Sequence, residues 1–133
     1  MRIGIIDDSE IFARTLARLA DRENGLETVL HIESGEALPA LVAAAPELVF
    51  LGLNLGDASG LDLLPRLRAE LPGAAVILLT AQYTVDVAEA ALAAGARACF
   101  AKEHLVPLLR ALARDGVDAL TSPGPEVGRV RSS

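Results

Sequence analysis

One cysteine among 133 residues leaves no disulfide framework, and a reduced, cytoplasmic setting is the simplest expectation. That cysteine, Cys99, sits in the apolar run Ala98-Cys99-Phe100-Ala101 and reads as a small buried hydrophobe rather than a redox thiol. Positive charge is also scarce. Twelve Lys and Arg stand against eighteen Asp and Glu, for a net charge of -6. No basic stripe exists to meet phosphates, and Arg129 with Arg131 near the end is too thin a cluster, so nucleic acid is not expected as a direct partner. No run approaches the roughly 18 apolar residues of a membrane span. Charges at Arg2, Asp7, Asp8 and Glu10 also break up any export leader, so no membrane association is expected.

What is present is enough apolar content, 52%, for one domain with a real core. Residues 1–120 read as that domain. Residues 121–133, beginning Thr-Ser-Pro-Gly-Pro-Glu, have the composition of a flexible tail or linker.

Strand and helix patterns alternate along the domain. Arg2 to Ile6 is a short β-branched run, after which the period changes. Ile11, Phe12, Leu16, Leu19 and Ala20 share one side of a helix that Ser9 or Asp8 caps. Leu26 to Ile32 reads as an edge strand, and Ser34-Gly35-Glu36 opens a helix that Pro46 closes. Leu48 to Leu53 carries no charge and is bounded by turn residues, as in a strand covered on both faces. A third helix follows Ser59-Gly60, and Pro65 inside it predicts a late start or a bend. Ala75 to Leu79 is the fourth strand, and Thr84 caps an alanine-rich helix over Val85 to Ala94 that Gly95 stops. Ala98 to Ala101 is the fifth strand, and a last helix runs to about Leu120.

Five alternations with short connections predict a doubly wound α/β sandwich of three layers, its parallel sheet ordered 2-1-3-4-5. All strands then point one way, so residues just past their ends gather on one rim: Asp7 and Asp8, Gly52 to Asn54, Thr80, and Lys102. Paired carboxylates suit a hard divalent ion, while a lysine and a threonine hydroxyl suit phosphoryl oxygens. Taken singly, each has a plainer role: first-turn acids for Asp7-Asp8, a loop hydroxyl for Thr80, a solvated helix-start lysine for Lys102. Convergence is what makes them pocket residues. His31 and His104 read as surface residues.

The segments Ile6-Asp7-Asp8-Ser9, Pro46 to Leu55, Gly60-Leu61-Asp62-Leu63-Leu64, Val76 to Ala81 and Gly95 to Lys102 occur in order at fitting spacings. With them the chain, from Arg2 to about Leu120, resembles the bacterial response-regulator receiver domain of two-component phosphorelay signalling, a flavodoxin-like fold. The resemblance implies that Asp8, with Asp7 partly through water and the backbone carbonyl of Asn54, would hold magnesium. It implies that Thr80 and Lys102 would hold phosphoryl oxygens. It also implies protein partners, namely a histidine kinase, a phosphotransfer protein or an effector. A homodimer through the fourth helix, fifth strand and fifth helix belongs to the same expectation.

The departures bear on function. The family's phosphate-accepting aspartate falls on Gly52, its switch aromatic on Cys99, and its proline after the lysine on Glu103, which makes a cis bond there unfavourable. Asp57 lies in the following loop with no reason to enter the pocket. Asp7 and Asp8 face Lys102 with a surplus of one negative charge, so magnesium affinity should be weakened. The expected resting contact is a bridge from Lys102 to Asp7 or Asp8.

The sequence therefore reads as a pseudo-receiver, no enzyme, acting by protein–protein contact independently of phosphorylation. Two other readings stay open: an active, magnesium-dependent receiver whose aspartate at 52 was replaced by mutation, and a sensor of a small anion in the vacated pocket.

Overall fold

The computed structural model describes residues 1–120; the tail or linker reading of 121–133 lies outside them. Five strands, β1 (Arg2–Ile6), β2 (Glu27–Ile32), β3 (Leu48–Gly52), β6 (Ala75–Thr80) and β7 (Ala98–Ala101), form one parallel sheet ordered β2-β1-β3-β6-β7. This is the expected 2-1-3-4-5 order, with a small unexpected hairpin inserted after β3. The hairpin pairs β4 (Asn54–Leu55) antiparallel to β5 (Ala58–Ser59) across Gly56-Asp57.

The sheet is central because its middle strand has no polar face. All five residues of β3 are buried, and the side chains of Leu48 and Phe50 join one core layer while Val49 and Leu51 join the other. That alternation follows from the two-residue period of a strand. Helices α1 (Glu10–Asp21) and α5 (Leu105–Asp115) cover the first layer. The other holds α2 (Leu38–Ala44), α3 (Gly60–Glu70) and α4 (Val85–Ala93). Fully burying each large apolar side chain contributes about 1.5–3 kcal/mol, so two complete layers account for the specificity of the register.

Caps decide where helices begin. Ser9, Ser59 and Thr84 each accept a hydrogen bond from a first-turn amide, of Phe12, Leu61 and Val87 respectively. Ser34 does the same for a short 3₁₀ turn, Gly35–Ala37, that leads into α2.

Three expectations are corrected. Helix α3 starts at Gly60 despite Pro65, because the Ser59 cap and the burial of Leu64 and Leu67 outweigh the amide that proline lacks. Ile11, expected inward, is 81% exposed; Ala13, Leu16 and Ala20 form the buried stripe of α1. The last helix is interrupted, with α5 ending at Asp115 and a 3₁₀ segment, Gly116–Leu120, beyond it. No helix among the described residues is long and apolar enough to cross a membrane.

Candidate functional site: the rim at the ends of β1, β3, β6 and β7

A cleft of about 190 Å³ lies at the carboxyl ends of the strands, lined by Asp7, Asp8, Gly52, Asn54, Thr80 and Lys102 among others. All the residues expected at the rim are thus together, although position 99 is not among them. Parallel strands force this meeting, since every chain leaves the sheet on the same edge.

The two aspartates do different things. Asp7 is buried, 3% exposed, and both its carboxylate oxygens are engaged. Oδ1 accepts from the Ser9 amide at 2.8 Å, and Oδ2 lies 3.1 Å from Lys102 Nζ. This is the bridge the charge count predicts. The lysine is held from a second side as well, with Nζ 3.9 Å from the centroid of the Phe12 ring. Asp8 turns outward and is exposed, and its Oδ2 accepts from the Gly56 amide at 2.9 Å, tying the hairpin to the start of α1.

Gly52 is buried beside Asp7. A Cβ built on Gly52 would lie 2.8 Å from Asp7 Oδ2 and 3.2 Å from its Cγ. The Asp7 carboxylate therefore rests in the space that any side chain at position 52 would need. Gly60 closes the other side: a Cβ there would run into the Gly52 carbonyl oxygen, so the start of α3 approaches β3 more closely than an alanine allows.

Thr80 is 2% exposed and its Oγ1 accepts from the Gln82 amide at 3.0 Å, which leaves the hydroxyl proton as a donor. Asn54 is exposed and lines the cleft from β4. Asp57 is exposed at the hairpin turn and is not among the cleft residues.

The donor set as arranged does not fit a divalent ion. Both oxygens of Asp7 are committed, one oxygen of Asp8 serves the hairpin, and position 52 brings no carboxylate. No group of three or more His, Cys, Asp or Glu suited to a metal occurs among the described residues.

Two partners escaped the sequence reading. His31, expected on the surface, is half-buried, and its Nε2 lies 2.8 Å from the Asp7 carbonyl oxygen. A carbonyl can only accept, so the proton sits on Nε2. Its signal was the register of β2, which sets His31 opposite Ile5 one step before the rim. Phe12 shares an apolar helix stripe with core residues, and nothing in its spacing marks it as a platform for Lys102.

Cys99 is wholly buried against the layer of α3 and α4, and no described peptide bond is cis, including the one before Glu103. Burial pushes the Cys99 thiol up to about 12. At pH 8 the thiolate is scarce and shielded. Native protein treated with iodoacetamide at that pH is expected to stay unmodified, while the same protein in urea takes one adduct by intact mass. Rapid native labelling would show that β7 opens.

The sequence matches the family described as response regulator receiver domain over residues 3–114. The chain belongs to that family. Among its relatives, the "Probable transcriptional regulatory protein TcrX" of Mycobacterium tuberculosis is 36% identical over 114 residues, covering 83% of this chain and 48% of that protein. The protein-glutamate methylesterase/protein-glutamine glutaminase 2 of Anaeromyxobacter dehalogenans is 35% identical over 97 residues, covering 72% of this chain and 28% of that protein. This receiver domain thus spans about half, or less, of the length of these curated relatives. A response regulator from Burkholderia pseudomallei, crystallised with a phosphorylated aspartic acid, a calcium ion and citrate, superposes with a TM-score of 0.78 at 30% identity. The match covers 98% of this chain and 72% of that one. The flavodoxin-like architecture and the place in two-component signalling follow for this receiver domain.

Proposed function

We propose that this receiver domain takes no phosphoryl group at position 52 and signals by protein contact, a pseudo-receiver. The observation that carries the reading is the Asp7 carboxylate lying against buried Gly52 and bridged to Lys102 at 3.1 Å. The acceptor is absent, and the carboxylate and ammonium that would flank it satisfy each other. Thr80 and Lys102 are what remains of the phosphoryl pocket, and Asp7, Asp8 and the Asn54 carbonyl what remains of a magnesium site that, so arranged, is weak or unoccupied. Cys99 stands at the switch position, where a small buried side chain leaves nothing to rotate.

Residues 1–120 act as the receiver unit, with 121–133 as its tail or linker. A histidine kinase, a phosphotransfer protein or an effector is the partner class. Val85 and Leu92 are partly exposed on α4, as is Val106 on α5, which supports a contact surface, including a homodimer, across α4, β7 and α5. A small-anion sensor is less favoured, because the cation it would use is already paired with Asp7.

The test is incubation with acetyl phosphate and magnesium followed by intact mass, together with magnesium calorimetry. No phosphoryl adduct is expected, and no sub-millimolar magnesium binding, because ligand charge count helps set affinity. An adduct on the glycine-bearing chain would end this reading.

A further inference from the structure

A second cleft lies at the other edge of the sheet from Gly52. It measures about 400 Å³, within the range of small-molecule sites, and is lined by Glu47, Arg68, Pro72 to Val76, Gly95, Arg97 and Val117. Two arginines against one glutamate give it a local charge of +1 in a chain whose net charge is -6.

The arginines are not equivalent. Arg68 is held in place: its Nη1 donates to the Ala74 carbonyl at 3.0 Å, and its stem crosses Gly95, whose φ is +111°. A Cβ on Gly95 would lie 2.9 Å from Arg68 Cγ, so the glycine serves both the turn and the close passage of the arginine. The guanidinium keeps donors beyond the one it spends on Ala74. Arg97 is anchored by its amide, which donates to the Val76 carbonyl at 2.7 Å, and its side chain is exposed. Among the described residues its guanidinium has no hydrogen bond or ion pair. Glu47 contributes less repulsion than its charge suggests, because Oε2 accepts from the Arg2 amide at 3.0 Å. Pro72, Ala74, Ala75 and Val117 supply an apolar lining.

We propose that this cleft binds a compact organic dianion, a dicarboxylate or a phosphomonoester, between the guanidinium groups of Arg68 and Arg97. Guanidinium forks match the paired oxygens of both groups, and the pre-set Arg68 loses little freedom on binding. The bound molecule would touch the end of α3, the starts of β3 and β6, the loop before β7 and the 3₁₀ segment after α5. None of these elements needs the Gly52 rim.

The test is a titration of the full chain with succinate and with glycerol phosphate, followed by amide chemical shifts, with potassium chloride at equal ionic strength as control. Saturable shifts are expected at Gly73, Ala74, Gly95 and Arg97 with a Kd of about 1 mM or tighter for at least one of the two. Arg97→Gln, at an exposed side chain without partners, should keep the fold and weaken binding about tenfold or more. The two titrants separate the sources, carboxylate or phosphate. Shifts that chloride reproduces, that Arg97→Gln leaves unchanged, or that appear only at Gly52, Thr80 and Lys102 would overturn the proposal, as would no saturable shift at all.

Discussion

Gly52→Asp is expected to turn phosphoryl labelling on. The variant, incubated with acetyl phosphate and magnesium, should gain the mass of one phosphoryl group, against none for the glycine-bearing chain. The geometry gives the reason. The atoms nearest a Cβ at position 52 are Asp7 Oδ2 and Cγ and, at 3.4 Å, the Ile6 carbonyl oxygen. A carboxylate at the end of a rotatable side chain can swing aside, whereas the strand need not move. The new aspartate would then face Lys102 and the Thr80 hydroxyl, groups suited to phosphoryl oxygens. With Asp7 and Asp8 it makes three carboxylates against one lysine, a surplus of two negative charges rather than one, and hence a donor set that a divalent ion can join. The same crowding predicts a cost. Without magnesium the variant should melt below the parent chain, because three like charges share a small rim, and added magnesium should raise its Tm. If Gly52→Asp stays unlabelled although folded, the rim has lost more than its acceptor.

A second substitution should act on stability. Gly60→Ala places a methyl group against the Gly52 carbonyl oxygen, which is backbone and cannot step aside. Relief requires the start of α3 to move off the end of β3, and the Gly60 amide, which donates to the Leu53 carbonyl just past that strand at 2.6 Å, to move with it. Overpacking of this kind costs about 3 kcal/mol, read as a lowered urea midpoint. Gly56→Ala is the useful comparison. Its φ is +66°, but nothing lies within 4 Å of a Cβ there, so only the left-handed backbone is strained, at about 1 kcal/mol. The clash should outweigh the strain. Equal losses at the two positions would show that the start of α3 floats rather than presses on the sheet.

The architecture was readable because its signals are long or chemically marked. Leu48 to Leu53 has no charge, Ser9, Ser34, Ser59 and Thr84 stand where caps are needed, and Gly95 stops a helix. Parallel strands then oblige Asp7, Asp8, Thr80 and Lys102 to converge, with no contact information needed. What failed was short or conflicting. The hairpin strands are two residues each, too brief for any period to show. Pro65 argued for a late helix, yet a cap and two buried leucines set its start. Ile11 lies on the border of the apolar arc, where spacing alone cannot separate a core position from one that is 81% exposed. The division of labour between the aspartates was also invisible. It depends on the empty Cβ position of Gly52 and on the Gly56 amide, one drawing Asp7 in and the other holding Asp8 out.

Cys99 carries a further consequence. An aromatic ring in place of Cys99 within β7 would be a hinged pointer able to announce what has happened in the pocket. Here the sulfur is sealed inside, and under the reading given above no such pointer exists. Under that reading, nothing that happens at the Gly52 rim would reach the outer surface through this strand. On that face the cell could vary how many copies there are and which partner finds them, so the face would serve as a fixed landmark rather than a gauge.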